Sequence, residues 1–310
     1  MSYSNSNSEK PRVAVIIPYF SGTEQLSRCI DCILNSSYEH ADIVVVDHSG
    51  KDDLTELREF SDPRVTRLAE VDSLWWTGAT NRGLKYALER HYPYIMLLNH
   101  DCFVRPDTID LLVKAIFDCT ECIVAPVQHN QNTGKYIVRA TSCFLLGFST
   151  LILPGWLFRF SRKKPMVPTS LIIGGRGVLI SADTFRSVGQ FDENLFPHYG
   201  ADHDFYLRAK KNGYRLFVTT QAIVDIDDVK TSMAATGTRQ TIRTFYETLF
   251  NRRSHRNLAD QYKLFAKYYP VPYLGFVGVA LNVVRYAIVM AVGNLLWLFS
   301  GKKRKVENQR

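Results

Sequence analysis

The 310-residue chain lacks a G-x-G-x-x-G loop after its first strand-like run, which argues against a dinucleotide-binding fold. It also lacks the glycine-, arginine- and lysine-rich phosphate loop that a nucleotidyltransferase would need there. The loop reads Pro18-Tyr19-Phe20-Ser21-Gly22 instead. No signal peptide opens the chain. Met1–Lys10 (MSYSNSNSEK) is polar, and residues 1–11 are expected to be disordered. No internal repeat occurs. Of six cysteines, Cys29-x2-Cys32 and Cys119-x2-Cys122 have zinc-ligand spacing. Both pairs fall in or at the end of helical patterns and lack a glycine-rich knuckle. Zinc is therefore not expected, and the thiols read as small buried hydrophobes in a reducing compartment.

What is present suits a folded domain. Hydrophobic residues make up 46% and charged residues 22%, which excludes global disorder, and the length permits a sizeable core. The formal charge of +8 is unevenly spread: residues 301–310 carry a net +4 (five basic residues less Glu307). Two more basic clusters are Arg159–Lys164 (RFSRKK) and Arg252–Arg256 (RRSHR). All three adjoin apolar stretches, which points to a membrane surface and not to nucleic acid.

Apolar runs Arg12–Ile17, Ala41–Val46, Val65–Leu68 and Tyr94–Leu98 predict buried strands, the first closed by Pro18. Helical patterns at Glu24–Leu34, Lys51–Phe60 and Asn81–Arg90 separate them. This alternation predicts a mostly parallel sheet covered by helices. Thr108–Phe117 predicts a further helix, with Asp107 suited to cap it. Shorter strands follow at Ile123–Val127, Tyr136–Ala140, Gly177–Ser181 and Arg215–Val218, with helices at Ala182–Val188 and Asp202–Lys211. Phe144–Phe158 is unusually apolar, and beyond Asp228 the chain reads as helical and basic to Tyr269.

Asp47 and Asp101 end strands, and Asp202 and Asp204 open a helix. Open α/β sheets bind ligands beyond the carboxyl ends of their strands. Carboxylates gathered there suit a hard cation and a general base. Trp75 and Trp76, adjacent in an extended segment, point opposite ways, so one of them can face the site. Core packing is the alternative for either ring.

Residues 12–232 resemble the GT-A fold glycosyltransferases of family 2, in the bacterial rhamnosyl-, galactosyl- and galactofuranosyl-transferase-like branch. VAVIIPYF is similar to the first strand and proline loop of that family, which implies nucleotide contacts at Pro18, Tyr19 and Phe20. IVVVDHSGKDD resembles the segment whose aspartate, here Asp47, meets the nucleotide base. WWTGATNRGL resembles the stretch under the nucleotide, with Gly78, Asn81 and Gly83 in place. LLNHDCFVRP resembles the D-x-D element, which makes Asp101 a nucleotide and metal contact. The segment from Ile173 to Leu216 resembles the acceptor loop and catalytic helix. It implies Asp202 as base and Asp204 as second acid. Gly174 and Gly175 suit a close approach of the backbone to the sugar, with a bare turn as the alternative. Trp76, and His198 and Tyr199 just before the helix, are candidates for the sugar and acceptor side, with core packing as the alternative.

The chain departs from that pattern at three places. Asn99-His100-Asp101 keeps one carboxylate of the D-x-D, and Ala201 replaces the glutamate that usually precedes the base. No histidine occurs in Ala222–Ser232, so Asp225, Asp227 or Asp228 would have to complete the metal site.

The resemblance implies an inverting transferase: a Rossmann-like, mostly parallel sheet flanked by helices, with Mg²⁺ or Mn²⁺ as cofactor. It implies a UDP- or dTDP-linked sugar as donor. The acceptor would be a polyprenyl-diphosphate-linked or other cell-surface glycan of O-antigen or capsule type. The alternative is a catalytically degenerate, membrane-anchored scaffold. The domain bounds expected are 12–240 for the catalytic unit, 241–270 for a basic helical segment and 302–310 for a basic tail. Residues 271–301 would form a membrane-associated helix or helical hairpin. Crossing the bilayer would place Arg285 near its centre, at a cost of about 2.5–3.5 kcal/mol. It would also set the basic tail opposite the catalytic domain. An in-plane amphipathic helix, or a pair bending near Asn282–Arg285, is expected instead. That places the protein, peripheral or monotopic, on the cytoplasmic face of the bacterial inner membrane.

Overall fold

The computed structural model describes residues 10–51, 54, 56–119, 121–153, 164–227 and 241–299. The first half runs β1 (Val13–Tyr19), α1 (Thr23–Leu34), β2 (Ala41–Asp47), β3 (Val65–Ala69), α2 (Trp75–Glu89), β4 (Tyr94–Leu98), β5 (Cys102–Val104) and α3 (Thr108–Phe117). It continues through β6 (Cys122–Asn130), β7 (Tyr136–Ile137), β8 (Ala140–Cys143), β9 (Phe148–Ile152), β10 (Met166–Pro168), β11 (Arg176–Ser181), α4 (Ala182–Val188), α5 (Ala201–Lys211) and β12 (Arg215–Ile226). Helices α6 (Ile242–Phe250), α7 (Leu258–Tyr268) and α8 (Gly275–Phe299) follow.

The main sheet has the order β10-β12-β6-β11-β4-β1-β2-β3. β3, β2, β1 and β4 are parallel, β11 is antiparallel to both β4 and β6, and β6 and β12 are parallel again. The near-continuous Val/Ile runs of β1 and β2 follow from burial on both faces. One apolar cluster joins the sheet to α1 and α3; the other joins it to α2, α4, α5 and α7.

β1 continues through Pro18, where the sequence suggests a stop. Val13 N–H and Tyr19 C=O bond on the β2 side, so even-numbered residues turn towards β4. Pairing of β1 with β4 ends at Ile16↔Leu97, so the missing N–H of Pro18 costs no ladder bond.

Several expectations are corrected. α2 begins six residues before Asn81, so Trp75 and Trp76 lie in its first turn and not in extended chain. Trp75 stands there with φ +53°, rare for a bulky residue. The described part of Lys51–Phe60 holds only a 3-10 turn at Arg58–Ser61. Asp107 makes no side-chain cap; Thr108 Oγ1 accepts from Arg105 N–H and donates to Ile223 C=O instead. Cys119 and Cys122 are joined in a disulfide, while Cys29, Cys32, Cys102 and Cys143 are free thiols. The part of the apolar run Phe144–Phe158 after Leu153, the basic RFSRKK apart from Lys164, Asp228, the polar residues 1–9 and the basic tail lie outside the described residues.

Within 241–270, α7 packs on the sheet domain, with Leu264 and Phe265 buried in the cluster that includes α5, while Ile242, Tyr246 and Phe250 of α6 are exposed. α8 is one helix that runs unbroken through Asn282 and Arg285. The polar residues face the domain: buried Asn282 donates to Gln261 Oε1 (3.0 Å), and Arg285 donates to Asn282 Oδ1 (2.6 Å) while lying over the ring of Phe148. Gly278 permits the close crossing with α7, since a Cβ there would lie 2.4 Å from Phe265 Cδ1.

Asp204 in α5 is fully buried. Arg208 Nε donates to its Oδ2 (2.8 Å), and its Oδ1 receives Lys267 Nζ (2.6 Å) and Tyr268 O–H (2.7 Å). Burial alone would raise the Asp204 carboxyl. The bonds from Lys267, Arg208 and Tyr268 outweigh it and hold the group below its ordinary value. The last turn of α7 is thereby clasped to the first turn of α5. Asp204→Ala should destabilise the fold by about 3 kcal/mol in denaturant titration, the low end for a broken buried pair because both cations are partly exposed. This part of the stability is held above the unfolded carboxyl's pKa and lost only as pH falls through the lowered folded value. Gly83→Ala places a Cβ 2.4 Å from Ile16 Cγ2 between α2 and β1. A β-branched core residue cannot swing aside, so a loss of about 1–3 kcal/mol is expected in the same assay.

Candidate active site

The carboxyl ends of β1, β2 and β4 lie together at one edge of the sheet, as the register Tyr19↔Asp47 fixes. Tyr19 is buried, its hydroxyl 2.9 Å from Thr23 Oγ1, and its ring meets His100 edge-on. Phe20 is exposed and packs against His48. Asp47 is buried: its Oδ1 accepts from Ser49 N–H (3.0 Å) and O–H (2.7 Å), and its Oδ2 takes a two-pronged bond from Arg67 (3.0 and 2.7 Å). Its role in this chain is first to pin the turn after β2 to β3.

Gly174 and Gly175 bridge the two remaining parts of the site. Gly174, with φ +67°, turns its N–H onto Asp202 Oδ2 (2.9 Å), and its carbonyl accepts from Tyr206 O–H (3.2 Å). Gly175 C=O accepts from the N–H of Asn99 (2.7 Å), the residue that follows β4. Asn99 Oδ1 in turn accepts from Trp76 Nε1 (3.0 Å). A Cβ on Gly175 would lie 3.1 Å from the Trp76 ring and 3.3 Å from Asn99 Oδ1. Two residues thus link the N-terminus of α5 to the Asn99-His100-Asp101 element.

Asp101 and Asp202 are both within electrostatic reach of Tyr199. Burial raises the Tyr199 phenol; Asp202 and Asp101 both raise it further, and Arg176 opposes them. Asp202 Oδ1 lies 3.6 Å from His203 Nδ1, and His203 Nε2 lies 2.8 Å from Thr150 Oγ1. His198 packs between Trp75 and Tyr199. Burial, then the charges of His48 and Arg253, lower it to about 4 against the pull of Asp202, so its imidazole is neutral at pH 7.

Other sequence-singled residues are committed elsewhere. Asn81 donates to Phe191 C=O and Glu193 Oε2 and accepts from Phe191 N–H, which staples the 189–200 loop to α2. A Cβ on Gly78 would lie 3.2 Å from the side chain of Leu74, just before α2, and 3.5 Å from Glu193 Oε2. Asp204 faces the α5–α7 clasp, away from the cleft. Asp225 is held by Arg105 (3.1 Å to each oxygen) and by His129 Nδ1 (2.6 Å); burial raises its carboxyl, and Arg105 and His129 lower it to a net value below the ordinary one. Asp227 N–H donates to Asp101 C=O (3.0 Å), and its carboxylate accepts from Gln25 and Asn132 (3.1 Å each).

Among the described residues no three carboxylate, imidazole or thiol groups converge to hold a metal ion. Magnesium-type sites, however, commonly use one or two carboxylates and complete the shell with substrate phosphates and water. Asp101, buried beside Asp227 where β5 pairs with β12, is compatible with that donor set. Sequence reasoning passed over Arg176, His48 and Arg253. Arg176 follows the two glycines directly and its guanidinium donates to Gln128 Oε1 (3.2 Å), within electrostatic reach of Asp101's neighbours. The RRSHR cluster, expected at a membrane, sits instead over aromatic rings of the cleft: Arg252 lies 5.8 Å from the Trp75 ring centroid and Arg253 lies 5.5 Å from that of Phe20.

Comparison with known proteins agrees with this architecture. An uncharacterized protein of Mycobacterium tuberculosis is 26% identical over 199 residues, 60% of this chain and 64% of its own length. A galactofuranosyl glycosyltransferase of Leishmania donovani is 22% identical over 190 residues, 52% of this chain and 43% of its own. The chain thus spans less than two thirds of the length of the curated relatives it matches. The crystal structure of GalNAc-T7 with UDP, GalNAc and Mn²⁺ superposes with a TM-score of 0.59 over 90% of this chain and 55% of that one. At 16% identity that likeness shows the fold, a GT-A fold. The model of the family described as "Glycosyl transferase family 2" matches residues 14–176, just over half of the sequence, and the chain belongs to that family.

Proposed function

We propose that the protein is an inverting glycosyltransferase that moves a sugar from a UDP- or dTDP-linked donor to a hydroxyl of a lipid-linked cell-surface glycan of O-antigen or capsule type. The observation that carries this is the Asp202–Gly174–Gly175–Asn99 bridge, which fixes one carboxylate at a helix N-terminus opposite the Asp101 element. The Gly174 N–H orients Oδ2 of Asp202, and Asp202, at 17% side-chain exposure, is reachable by an acceptor. Asp202 takes the acceptor's proton as its oxygen attacks the anomeric carbon from the face opposite the nucleotide. Asp101, with Asp227, would hold Mg²⁺ or Mn²⁺, which when bound supplies positive charge to the departing diphosphate. Phe20, exposed, lines the nucleotide end, with the buried Pro18 and Tyr19 setting the loop behind it; Trp76, His198 and Tyr199 line the sugar and acceptor end.

The same reading places the protein, peripheral or monotopic, on the cytoplasmic face of a bacterial inner membrane. Residues Gly275–Trp297 are long and apolar enough to cross a bilayer. Their N-terminal half is docked on α7 and the β8–β9 hairpin, however, through Asn282 and Gly278. Exposed Val292, Leu295 and Leu296 of α8, with Leu145 and Leu146 of the hairpin turn against it, form the apolar surface proposed to lie on the lipid.

Two measurements test this. Purified protein should release one nucleotide slowly from a panel of UDP-, dTDP- and GDP-sugars with Mg²⁺ or Mn²⁺ but not with EDTA. Asp202→Asn should lower turnover by about 10²–10⁴ while nucleotide affinity is retained. Release unaffected by that substitution would remove Asp202 as the base. In co-sedimentation with anionic phospholipid vesicles, Val292→Glu/Leu296→Glu should abolish most of the binding, and an unchanged bound fraction would count against the lipid-facing surface.

A further inference from the structure

We propose that the loop joining α6 to α7, residues 251–257, roofs the donor site, and that Arg253 with Arg252 beside it grips the diphosphate of the bound nucleotide. This rests on the nucleotide-donor reading above and adds a second, purely protein-borne source of positive charge to it.

The geometry comes from both walls of the cleft. Phe20 follows β1 and Trp75 opens α2; Arg253 covers the first ring and Arg252 the second. Behind each ring stands an imidazole, His48 against Phe20 and His198 against Trp75, at 5.5 Å between centroids in both cases. The Nδ1 atoms of both imidazoles are buried and have no hydrogen-bond partner. Buried polar atoms are nearly always bonded, so two orphaned nitrogens flanking one opening mark where a polar ligand enters. His198 lies within electrostatic reach of both His48 and Arg253.

The arginines are also available. Arg67, Arg105 and Arg208 each bond a carboxylate of the fold, whereas Arg252 and Arg253 have no carboxylate within ion-pair distance among the described residues. Their side chains are exposed but their backbone is set: Ser254, Arg256 and Asn257 are buried, Arg253 N–H donates to Asn251 Oδ1 (2.8 Å), and Asn257 Nδ2 donates to Phe250 C=O (3.2 Å). A guanidinium is suited to two-pronged bonding of phosphate oxygens.

The chemistry needs this charge when the bond breaks. The acceptor oxygen forms a bond to the anomeric carbon and gives its proton to Asp202. The bond from that carbon to the phosphate oxygen breaks, with its electron pair left on the diphosphate. One more negative charge appears there, in a cleft already lined by Asp101 and Asp202, and a guanidinium in contact stabilises it.

The test is titration calorimetry of UDP, dTDP and GDP, and of uridine and thymidine, against the full chain. Arg253→Ala should weaken diphosphate binding at least about tenfold, Arg253→Lys should recover part of it, and nucleoside binding should not change. The loss should shrink as salt is raised. Arg243→Ala, on the exposed face of α6 in an ion pair with Glu247, is the control expected to bind as wild type does. Equal loss for nucleosides and diphosphates, or no loss for either, overturns the proposal while leaving the transferase reading intact. If wild-type protein binds none of the three diphosphates, the donor reading fails first and takes this proposal with it.

Discussion

A carboxylate with no solvent exposure is tolerable only when cations and donors meet its oxygens, and Asp204 meets that condition by drawing on two helices. Arg208 comes from its own helix, α5; Lys267 and Tyr268 come from the last turn of α7. The N-terminal turn of α5 carries Asp202, and the loop that leads into α7 carries Arg252 and Arg253. One clasp therefore sets the distance between the proposed base and the proposed cationic roof. The resemblance alone would enrol Asp204 in the chemistry, yet its geometry makes it the residue that holds the chemistry in register.

The same economy governs the C-terminal helix. Asn282 and Arg285 look, in sequence, like interruptions of an apolar run, and a bend there would have relieved them. The structure relieves them differently: Asn282 pairs with Gln261 of α7, and Arg285 spreads over Phe148 and Tyr286. A polar group in an apolar helix costs little when a neighbouring helix supplies its partner. The helix consequently runs unbroken through both positions, and Val284, Ile288, Val292, Leu295 and Leu296 of its apolar remainder stay exposed.

How much could be read from the sequence depends on how far apart the partners lie. Strand and helix order was legible because periodicity is local, and α3 is found at the bounds its pattern predicts. The strand-end aspartates and the glycine pair were legible for the same reason. The commitment of Asp225 to Arg105 and His129 was not, since both partners lie far upstream and nothing in Ala222–Ser232 announces them. The RRSHR cluster was misplaced by its neighbours: beside apolar helices it resembles a membrane patch, and only the folded chain brings Phe20 and Trp75 beneath it. The helical pattern of Asn81–Arg90 covers only the later part of α2, because a tryptophan at positive φ carries no helix-start signal.

Charge balance connects these points. Of the acids at the strand ends, Asp47 is already matched by Arg67, and Asp225 by Arg105 and His129. Asp101 and Asp202 are the acids proposed to line the cleft, and a diphosphate entering it would add further negative charge in a partly desolvated space. Repulsion of that kind must be met by positive charge at short range. The sequence has lost one carboxylate of the D-x-D and the histidine that usually assists it, which lowers the number of protein ligands for a cation. The fold at the same time brings Arg176 and the Arg252–Arg253 loop to the same cleft. In the proposed reading, a site with fewer metal ligands and more guanidinium groups would distribute the work of holding the leaving group between a cation and the protein itself. Its response to chelation should then be a weakening of nucleotide binding and not its abolition.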